Sequence, residues 1–349
     1  MYTFKDIIGQ EQAKAHVRSS LTAGRVTHAA LITGDAGMGK KMFAMTWAGA
    51  IMCGNRQLVD GFPEPCGKCS SCVMAEAGTH PEIRILTHEK TSYGVDEIRT
   101  QLVNDSALRP MIGDYRVYII PEAEKLNIQC QNALLKTLEE PPSYVVIMLL
   151  AKNAGALLPT ILSRVIELPM RPVSDTDIAS LLMREHRIPD YLAYECAALS
   201  DGNVGRAIRY ATDENFRTRP DRMIRLLEDL NDMTIPSVME TLRDILMPSD
   251  DDGSSSAKKR NLKDAGPEEL AAALAILRTV IRDIMVFKAG APEKLVFAKH
   301  EEYYRKAALM TWPQLFEKMT LIDETEERLS ANANTELALE LMMLGLRTR

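Results

Sequence analysis

The sequence lacks the features that would place it in a membrane or direct it out of the cell. No apolar stretch approaches the roughly 20 residues that a membrane-spanning helix needs. The first residues, from Met1 to Asp6, contain no apolar core of the kind found in secretion signals. We therefore expect a cytoplasmic protein that makes no membrane contact.

The chain also has no excess of positive charge and few cysteines. Its net charge of −6 argues against a uniformly basic surface that binds nucleic acid, although a local basic patch is compatible with this charge. The six cysteines are not expected to form structural disulfides in a reducing cytoplasm. At 349 residues, with 46% hydrophobic and 26% charged residues, the chain is globular and too long for one core. Two or three domains are expected.

The most informative segment is a glycine-rich run that resembles a phosphate-binding P-loop. From Gly34 onward the chain reads GDAGMGKK, against the pattern G-x-x-x-x-G-K-[ST]. Gly37 and Gly39 complete the turn, and Lys40 adds a positive charge next to the phosphates. Lys41 stands where a Ser or Thr hydroxyl would coordinate Mg²⁺. We expect at most weak binding of ATP or ADP and poor retention of Mg²⁺.

The segments around the P-loop predict a parallel α/β sheet with flanking helices. Residues 28–33 read as a buried strand that runs straight into the P-loop, with a helix before it over 7–24. Strands that alternate with helices along the chain form a parallel sheet. Further helices are expected over 40–52, 95–103 and 128–140, and further strands over 82–87, 115–120 and 144–150.

The strand signal ends near residue 170, and the rest of the chain is predicted to be helical. Ser174 to Asp177 resembles a helix-capping box, and Pro267 is expected to open a long helix. Segment 248–260 is rich in Ser and Asp, cannot bury a core and is predicted to be mobile. Segment 334–346 is apolar on more than one face, so it needs burial or a partner subunit. The expected domains are 1–170, 171–215 and 216–349.

The end of the predicted strand at 115–120 carries a second departure from an active nucleotide site. An ATPase of this type has an Asp there that holds the metal, followed by a Glu that polarises water. Pro121 occupies the metal-binding position, and Glu122 remains in the place of the second carboxylate as a vestigial catalytic residue. The alternative is that Glu122 and Glu124 only solvate the strand end.

Four of the cysteines form the pattern C-x₁₂-C-x₂-C-x₂-C, namely Cys53, Cys66, Cys69 and Cys72. The tight spacing of the last three lets their thiolates converge on one ion. Four thiolates form a closed tetrahedral shell that suits structural zinc and has no open position for catalysis. The alternative is a redox-active C-x-x-C pair, which would use only two of them. We predict a zinc module, over 53–72, inserted after the P-loop helix.

Several motifs together resemble those of bacterial clamp-loader subunits of the AAA+ class. Matching motifs occur throughout about 1–210, whereas beyond that region only the helical architecture is similar. It rests on FKDIIGQ at 4–10, residues 28–40, the four cysteines, NALLKTLEEPP at 132–142 and LPTILSR at 158–164.

The resemblance implies a place in a five-subunit ring that loads a sliding clamp on primed DNA during replication. The partners would be clamp-loader subunits of the delta and tau/gamma kinds, with the clamp and primer-template DNA reached through the complex. The three domains would be a P-loop AAA+ domain, a helical lid and a helical collar for oligomerisation. The chain would be a component of DNA polymerase III, a DNA-directed DNA polymerase (a nucleotidyltransferase).

The resemblance also implies a role for Arg164, which follows Ser163 before the last strand of the sheet. In the family this arginine reaches ATP bound by the neighbouring subunit, where a guanidinium stabilises charge on the γ-phosphate. The family usually has Cys after this Arg, and here the next residue is Val165. The alternative is that Arg164 caps the carboxyl end of the preceding helix.

A sensor arginine is expected in the lid of such proteins, and here it is displaced. Active members carry it at the position of Gly205, whereas this chain has Arg206. One residue turns a helix face by about 100°, so Arg206 is expected to miss a nucleotide in its own P-loop. This is a third departure at the same site.

Three functions remain to be compared. The first is a stationary clamp-loader subunit that hydrolyses little or no ATP and donates Arg164 to a neighbour. The second is an active, tau/gamma-like ATPase that uses Lys40 and Glu122. The third, a nucleic-acid-binding module acting alone, is disfavoured because aromatic and basic residues do not interleave.

Overall fold

The computed structural model describes residues 2–59, 61–88, 92–247, 261–331 and 333–347. The chain separates into two compact units. The first comprises Met1–Asp177 with Gly202–Gly205, and the second comprises Ile178–Asp201 with Arg206–Arg349. The division into three domains at 1–170, 171–215 and 216–349 stays a prediction, and segment 248–260 lies outside the described residues.

The first unit contains a five-stranded parallel sheet, which confirms the predicted fold class. Its order is β4-β5-β6-β1-β7, and each neighbouring pair runs parallel. A separate antiparallel hairpin, β2-β3, was not predicted because each of its strands has only three residues. The strands are β1 Ala29–Thr33, β2 Gln57–Val59, β3 Phe62–Glu64, β4 Ile83–Ile85, β5 Arg116–Ile120, β6 Val145–Ala151 and β7 Ile166–Pro169.

The central strands are almost entirely apolar because both faces of the sheet are covered. Every residue of β1, β5 and β6 is buried. Alternate residues point into two separate cores, so that Ile32 and Met148 lie in one and Leu31 and Ile147 in the other. Strands of a parallel sheet with helices on both faces have this continuous apolar pattern.

In the described part of the first unit, the sheet is accompanied by six α-helices that precede α7. The helix predicted over 7–24 begins only at Glu11, because Gly9 and Gln10 have φ of 63° and 61° and lie in the left-handed region. The predicted helix over 95–103 consists of α4 followed by a π-helical turn at Arg99–Asn104. The helices are α1 Glu11–Thr22, α2 Lys40–Met52, α3 Ser70–Glu76, α4 Val95–Ile98, α5 Ile128–Glu139 and α6 Pro159–Leu162.

Beyond β7 the described residues form helices and turns, as predicted. Ser174 Oγ accepts the backbone N–H of Asp177 at 3.2 Å, which is the expected cap, and Pro267 is the first residue of α12. No described helix is long and apolar enough to cross a membrane. The helices are α7 Asp175–His186, α8 Asp190–Leu199, α9 Val204–Thr212, α10 Glu214–Asp229, α11 Ile235–Leu246, α12 Pro267–Lys288, α13 Glu301–Ala307, α14 Trp312–Ser330 and α15 Thr335–Leu346.

The terminal helix α15 is buried on one side only. Leu339, Met342 and Met343 are buried, whereas Leu337 and Leu341 are exposed. A helix that is apolar all round is usually covered on most sides. The exposed leucines are therefore compatible with the predicted partner subunit.

A buried ion pair fixes the edge of the sheet. Arg116 Nε lies 2.6 Å from Glu82 Oε2, and their side chains are only 5% and 1% exposed. Burial alone raises the pKa of Glu82, but hydrogen bonds from Arg116 and from the backbone N–H of Met111 outweigh it and hold that pKa below the ordinary value. The ionised carboxylate is thus part of the folded state.

Replacing Arg116 by methionine should lower the free energy of unfolding by about 3–5 kcal/mol, because it leaves the Glu82 charge buried without its partner. In the parent protein this stabilisation is present above the ordinary pKa of 4.5 and is lost as the pH falls through the lower folded pKa. Urea unfolding between pH 3 and 7 measures both effects. Arg184→Met, which breaks an exposed pair with Glu185, is the matched control and should change stability by less than about 0.5 kcal/mol. Equal losses in the two variants would contradict this assignment.

Candidate functional site

The P-loop joins the carboxyl end of β1 to the amino end of α2. Gly34, Gly37 and Gly39 have φ of 146°, 88° and 85°, in a region that side chains disfavour. Gly39 is the residue that caps α2, so the loop places its glycines and the helix N-terminus together. This is the backbone arrangement that cradles phosphate groups.

The lysine of the P-loop, Lys40, forms hydrogen bonds with the backbone of its own loop. Lys40 Nζ donates hydrogen bonds to the carbonyl oxygen of Gly34 and, at 2.8 Å, to that of Asp35. Burial lowers the pKa of Lys40, against the charges of Glu124 and Asp35, which raise it. Lys41 is exposed and adds a second cation at the helix N-terminus, where the macrodipole is already positive. The hydroxyl that would hold a metal is replaced by a charge that repels it.

Glu122, the carboxylate predicted to be a vestigial catalytic residue, forms contacts with neighbouring side chains. Glu122 follows Pro121 at the end of β5, with φ of 47°, and its Oε2 lies 2.8 Å from Lys125 Nζ and 3.4 Å from His88 Nε2. The hydrogen bond from Lys125 lowers the pKa of Glu122, with a further contribution from His88. These local ion pairs agree with a charged group at a strand end.

Of the two neighbouring carboxylates, Glu124 is the one whose charge acts on Lys40. Its Oε2 accepts the backbone N–H of Lys152 at 3.3 Å. In the alternative interpretation of the motif, Glu124 is expected only to solvate the strand end. Its electrostatic effect on the P-loop depends on how the ends of β5 and β6 lie side by side, which the motif does not encode.

Arg164 follows α6 and is held by its own chain. Its Nη2 lies 2.8 Å from Glu139 Oε1, at the end of α5, and its Nη1 donates to the carbonyl oxygen of Thr160 at 2.8 Å. The bond to Thr160 is the helix-capping contact considered as an alternative. The side chain is nevertheless 34% exposed, so the guanidinium is at the surface.

The displaced arginine, Arg206, forms an ion pair with a residue close to it in the sequence. Arg206 Nη1 lies 3.6 Å from Asp201 Oδ2, within the second unit. The expectation that Arg206 misses a nucleotide in this P-loop stays a prediction. Sequence reasoning did not find that Gly205 itself contacts the P-loop, since its N–H donates to the carbonyl oxygen of Gly37 at 2.9 Å.

The four predicted metal-ligating cysteines converge. Cys53 lies at the end of α2, Cys66 after β3, Cys69 before α3 and Cys72 within α3, and their sulfur atoms all lie within 4.8 Å of one another. The Cys53–Cys69 and Cys66–Cys72 sulfur distances are both 3.9 Å. A tetrahedral ion with metal–sulfur bonds of about 2.3 Å requires sulfur atoms about 3.8 Å apart. These residues therefore fit one metal ion.

The backbone around the cysteines favours charged sulfur. The N–H groups of Cys66, Cys69 and Cys72 point at sulfur atoms 3.4–3.5 Å away, those of Cys53, Cys66 and Cys69 respectively. Hydrogen bonds from the backbone of Lys68 and of Cys69 lower the pKa of Cys66 to about 6, whereas burial raises the pKa of Cys53 and of Cys72. Convergence of all four sulfur atoms fits a metal shell better than a two-cysteine redox pair.

Comparison with known proteins finds similarity to subunits of one bacterial polymerase. Residues 9–174 match the family model described as DNA polymerase III, delta subunit. The chain is 26% identical to DNA polymerase III subunit delta' of Bacillus subtilis over 329 residues, covering 94% of this chain and 93% of that one.

Two further relatives match only in part. Subunit delta' of Pseudomonas aeruginosa is 37% identical over 142 residues, 40% of this chain and 42% of that one. Subunit tau/gamma of Haemophilus influenzae is 34% identical over 208 residues, 58% of this chain but 29% of that one. The P-loop, the cysteine cluster and Arg164 all lie within residues 9–174, the part of the chain that is similar to the family described as DNA polymerase III, delta subunit, and the similarity to a delta' subunit extends over nearly the whole chain.

Proposed function

We propose that this chain is a delta'-type subunit of the DNA polymerase III clamp loader, which hydrolyses little or no ATP itself and supplies Arg164 to ATP bound by a neighbouring subunit. The observation that carries the proposal is the match along nearly the whole chain to a delta' subunit, whereas the tau/gamma match covers 29% of its relative. The chain would act in the cytoplasm.

The low ATPase activity is supported by the state of the P-loop. Lys41 removes one metal ligand and Pro121 removes the other, so a Mg²⁺–ATP complex would lose both protein contacts to its metal. Lys40 is bonded to carbonyl oxygens of its own loop. Binding of nucleotide without metal-assisted chemistry is the most that this arrangement favours.

The role of Arg164 is supported by its position and by the weakness of its resting contacts. The ion pair with Glu139 is half exposed, and exposed pairs contribute only about 0–1 kcal/mol. A phosphate presented by a neighbouring subunit would compete well for the guanidinium, because Arg binds phosphate oxygens bidentately. Glu139 then acts as a resting partner that positions Arg164 before the neighbour arrives.

We propose that the cysteine cluster binds structural zinc. Zinc accepts four thiolates in a tetrahedral shell and, when bound there, would crosslink the segment that contains the β2-β3 hairpin to α2 and α3. With four protein ligands the site has no position for substrate. Cys53, Cys66, Cys69 and Cys72 would each contribute one sulfur.

The proposed partners are delta and tau/gamma subunits in a hetero-pentamer, with the sliding clamp and primer-template DNA reached through the complex. The helical segment 216–349 would form the collar that holds the ring, and 171–215 the lid. The exposed leucines of α15 support the need for a neighbour there.

The isolated chain should show no Mg²⁺-dependent ATP turnover above background, and Lys40→Ala should leave this background rate unchanged. A phosphate-release assay measures this, with an active tau/gamma subunit as the positive control. The same chain mixed with that subunit should form a stable complex by size-exclusion chromatography. Turnover by the isolated chain that Lys40→Ala abolishes would instead establish the active-ATPase alternative.

A further inference from the structure

The four residues Gly202–Gly205 lie against the P-loop and belong to the first unit, although their neighbours on both sides in the sequence belong to the second. Asn203 Nδ2 donates to the carbonyl oxygen of Ala36 at 2.7 Å. The N–H of Gly205 donates to the carbonyl oxygen of Gly37 at 2.9 Å. Two consecutive carbonyl groups of the P-loop are therefore bonded to this segment.

The two preceding carbonyl groups are bonded by the P-loop lysine. Lys40 Nζ donates to the oxygen atoms of Gly34 and Asp35, so two of the three donors of the ammonium group are used within the loop. Residues 34–37 thus have all four carbonyl groups satisfied by the chain itself. A phosphate group that recruits Lys40 therefore competes with the carbonyl oxygens of Gly34 and Asp35 for the ammonium group, in a loop that Asn203 and Gly205 hold in place.

Position 205 has to be glycine in this arrangement for reasons of space. Its φ is not in the left-handed region, so the backbone conformation itself would accept any residue. A Cβ at 205 would, however, lie 2.8 Å from both the Cα and the carbonyl oxygen of Gly37. Neither is the end of a flexible side chain, so a residue with a side chain at 205 would hold the segment away from the P-loop.

Gly37 is required for the same contact from the other side. A Cβ there would lie 2.6 Å from Asn203 Oδ1, and the φ of 88° disfavours side chains in any case. The absence of a side chain at 205 thus leaves room for Gly37, and the absence of one at 37 leaves room for Asn203.

We propose that Gly202–Gly205 is a latch that holds the P-loop closed against nucleotide, and that Gly205 is the residue that permits the latch to close. The inference rests on the proposed function only in that both concern this nucleotide site. The apparent affinity for a nucleotide is proportional to the fraction of molecules in the binding-competent form. A closed latch lowers that fraction, so it weakens nucleotide binding without removing any phosphate ligand.

The test is nucleotide binding by the full chain, followed as the fluorescence anisotropy of an N-methylanthraniloyl-ATP probe with and without Mg²⁺. Asn203→Ala removes one latch hydrogen bond and should tighten binding about 2- to 10-fold. Gly205→Ala prevents closure and should tighten it by more than about tenfold. Adding Lys40→Ala to either variant should abolish the gain, because the probe would lose its phosphate contact.

Gly155→Ala is the matched control, because a Cβ there would meet only the Asn153 side chain at 3.4 Å. It should leave binding unchanged. Gly205 lies in the first turn of α9, where alanine is a better helix former than glycine, and thermal denaturation reports whether the variant is folded. If it is not folded, Asn203→Ala alone decides.

Folded latch variants that bind the probe no more tightly than the parent chain would overturn the latch. So would a parent chain that already binds as tightly as Gly205→Ala. Failure of the proposed function is a separate result, because that function is read from the partner's ATP hydrolysis and its dependence on Arg164.

Discussion

An assembly that contains Arg164→Ala should hydrolyse ATP about 10³- to 10⁵-fold more slowly at the one site that this chain faces, which is the contribution of an arginine finger to phosphoryl transfer. The other nucleotide sites have to be silenced by substitutions of their own P-loop lysines, since their turnover would otherwise hide the effect. The measurement is steady-state phosphate release by the reconstituted complex with clamp and primed DNA.

Two variants separate the chemical role of Arg164 from a structural one. Arg164→Lys should rescue little of the activity, because an ammonium group cannot form the planar bidentate contact of a guanidinium. Glu139→Gln removes the resting ion pair but keeps the arginine, so activity should be retained or rise. If Arg164 only capped α6 through Thr160, Arg164→Ala would lower stability slightly and leave the partner's activity unchanged. Arg184→Ala, at an exposed arginine of the second unit, is the control for general loss of charge.

Removal of the metal should have the largest effect on stability. Purified chain should contain about one zinc ion, and Cys69→Ser should reduce the zinc content to near zero by mass spectrometry. Because structural zinc binds with apparent free energies of about 10–16 kcal/mol, part of the folding free energy of the first unit depends on it. A strong chelator should therefore lower the melting temperature of the parent chain and not that of Cys69→Ser.

Cys130→Ser and Cys196→Ser are matched controls, since both cysteines are buried and lie outside the cluster. They should keep the zinc while losing some stability from burial of a hydroxyl. A parent chain that is free of zinc and has the same melting temperature with and without zinc would contradict the metal assignment. Loss of thiol reactivity confined to one C-x-x-C pair would favour the redox alternative.

Most of the first unit could be predicted from local sequence. Strands β1, β5 and β6 were predicted because a strand buried on both faces is apolar at nearly every position. The start of α1 was misplaced because nothing in the composition of residues 7–10 reveals that Gln10 adopts a left-handed conformation. The short strands of the hairpin carry too few residues for any periodicity.

The candidate site also has features that the sequence predicts and features that it does not. The P-loop glycines, Lys41, Pro121 and the four cysteines are read from spacing, because each motif encodes a turn whose geometry is local. By itself the sequence thus determined which groups are available for phosphate and metal, and which metal ligands are missing. Only the tertiary structure decided what those groups contact. Glu139 holds Arg164, Glu124 acts on Lys40, and Asn203 lies on Ala36 although 167 positions separate them in the chain. Such contacts depend on the order of strands in the sheet and on which chain ends it brings together, and no local pattern of residues encodes that order.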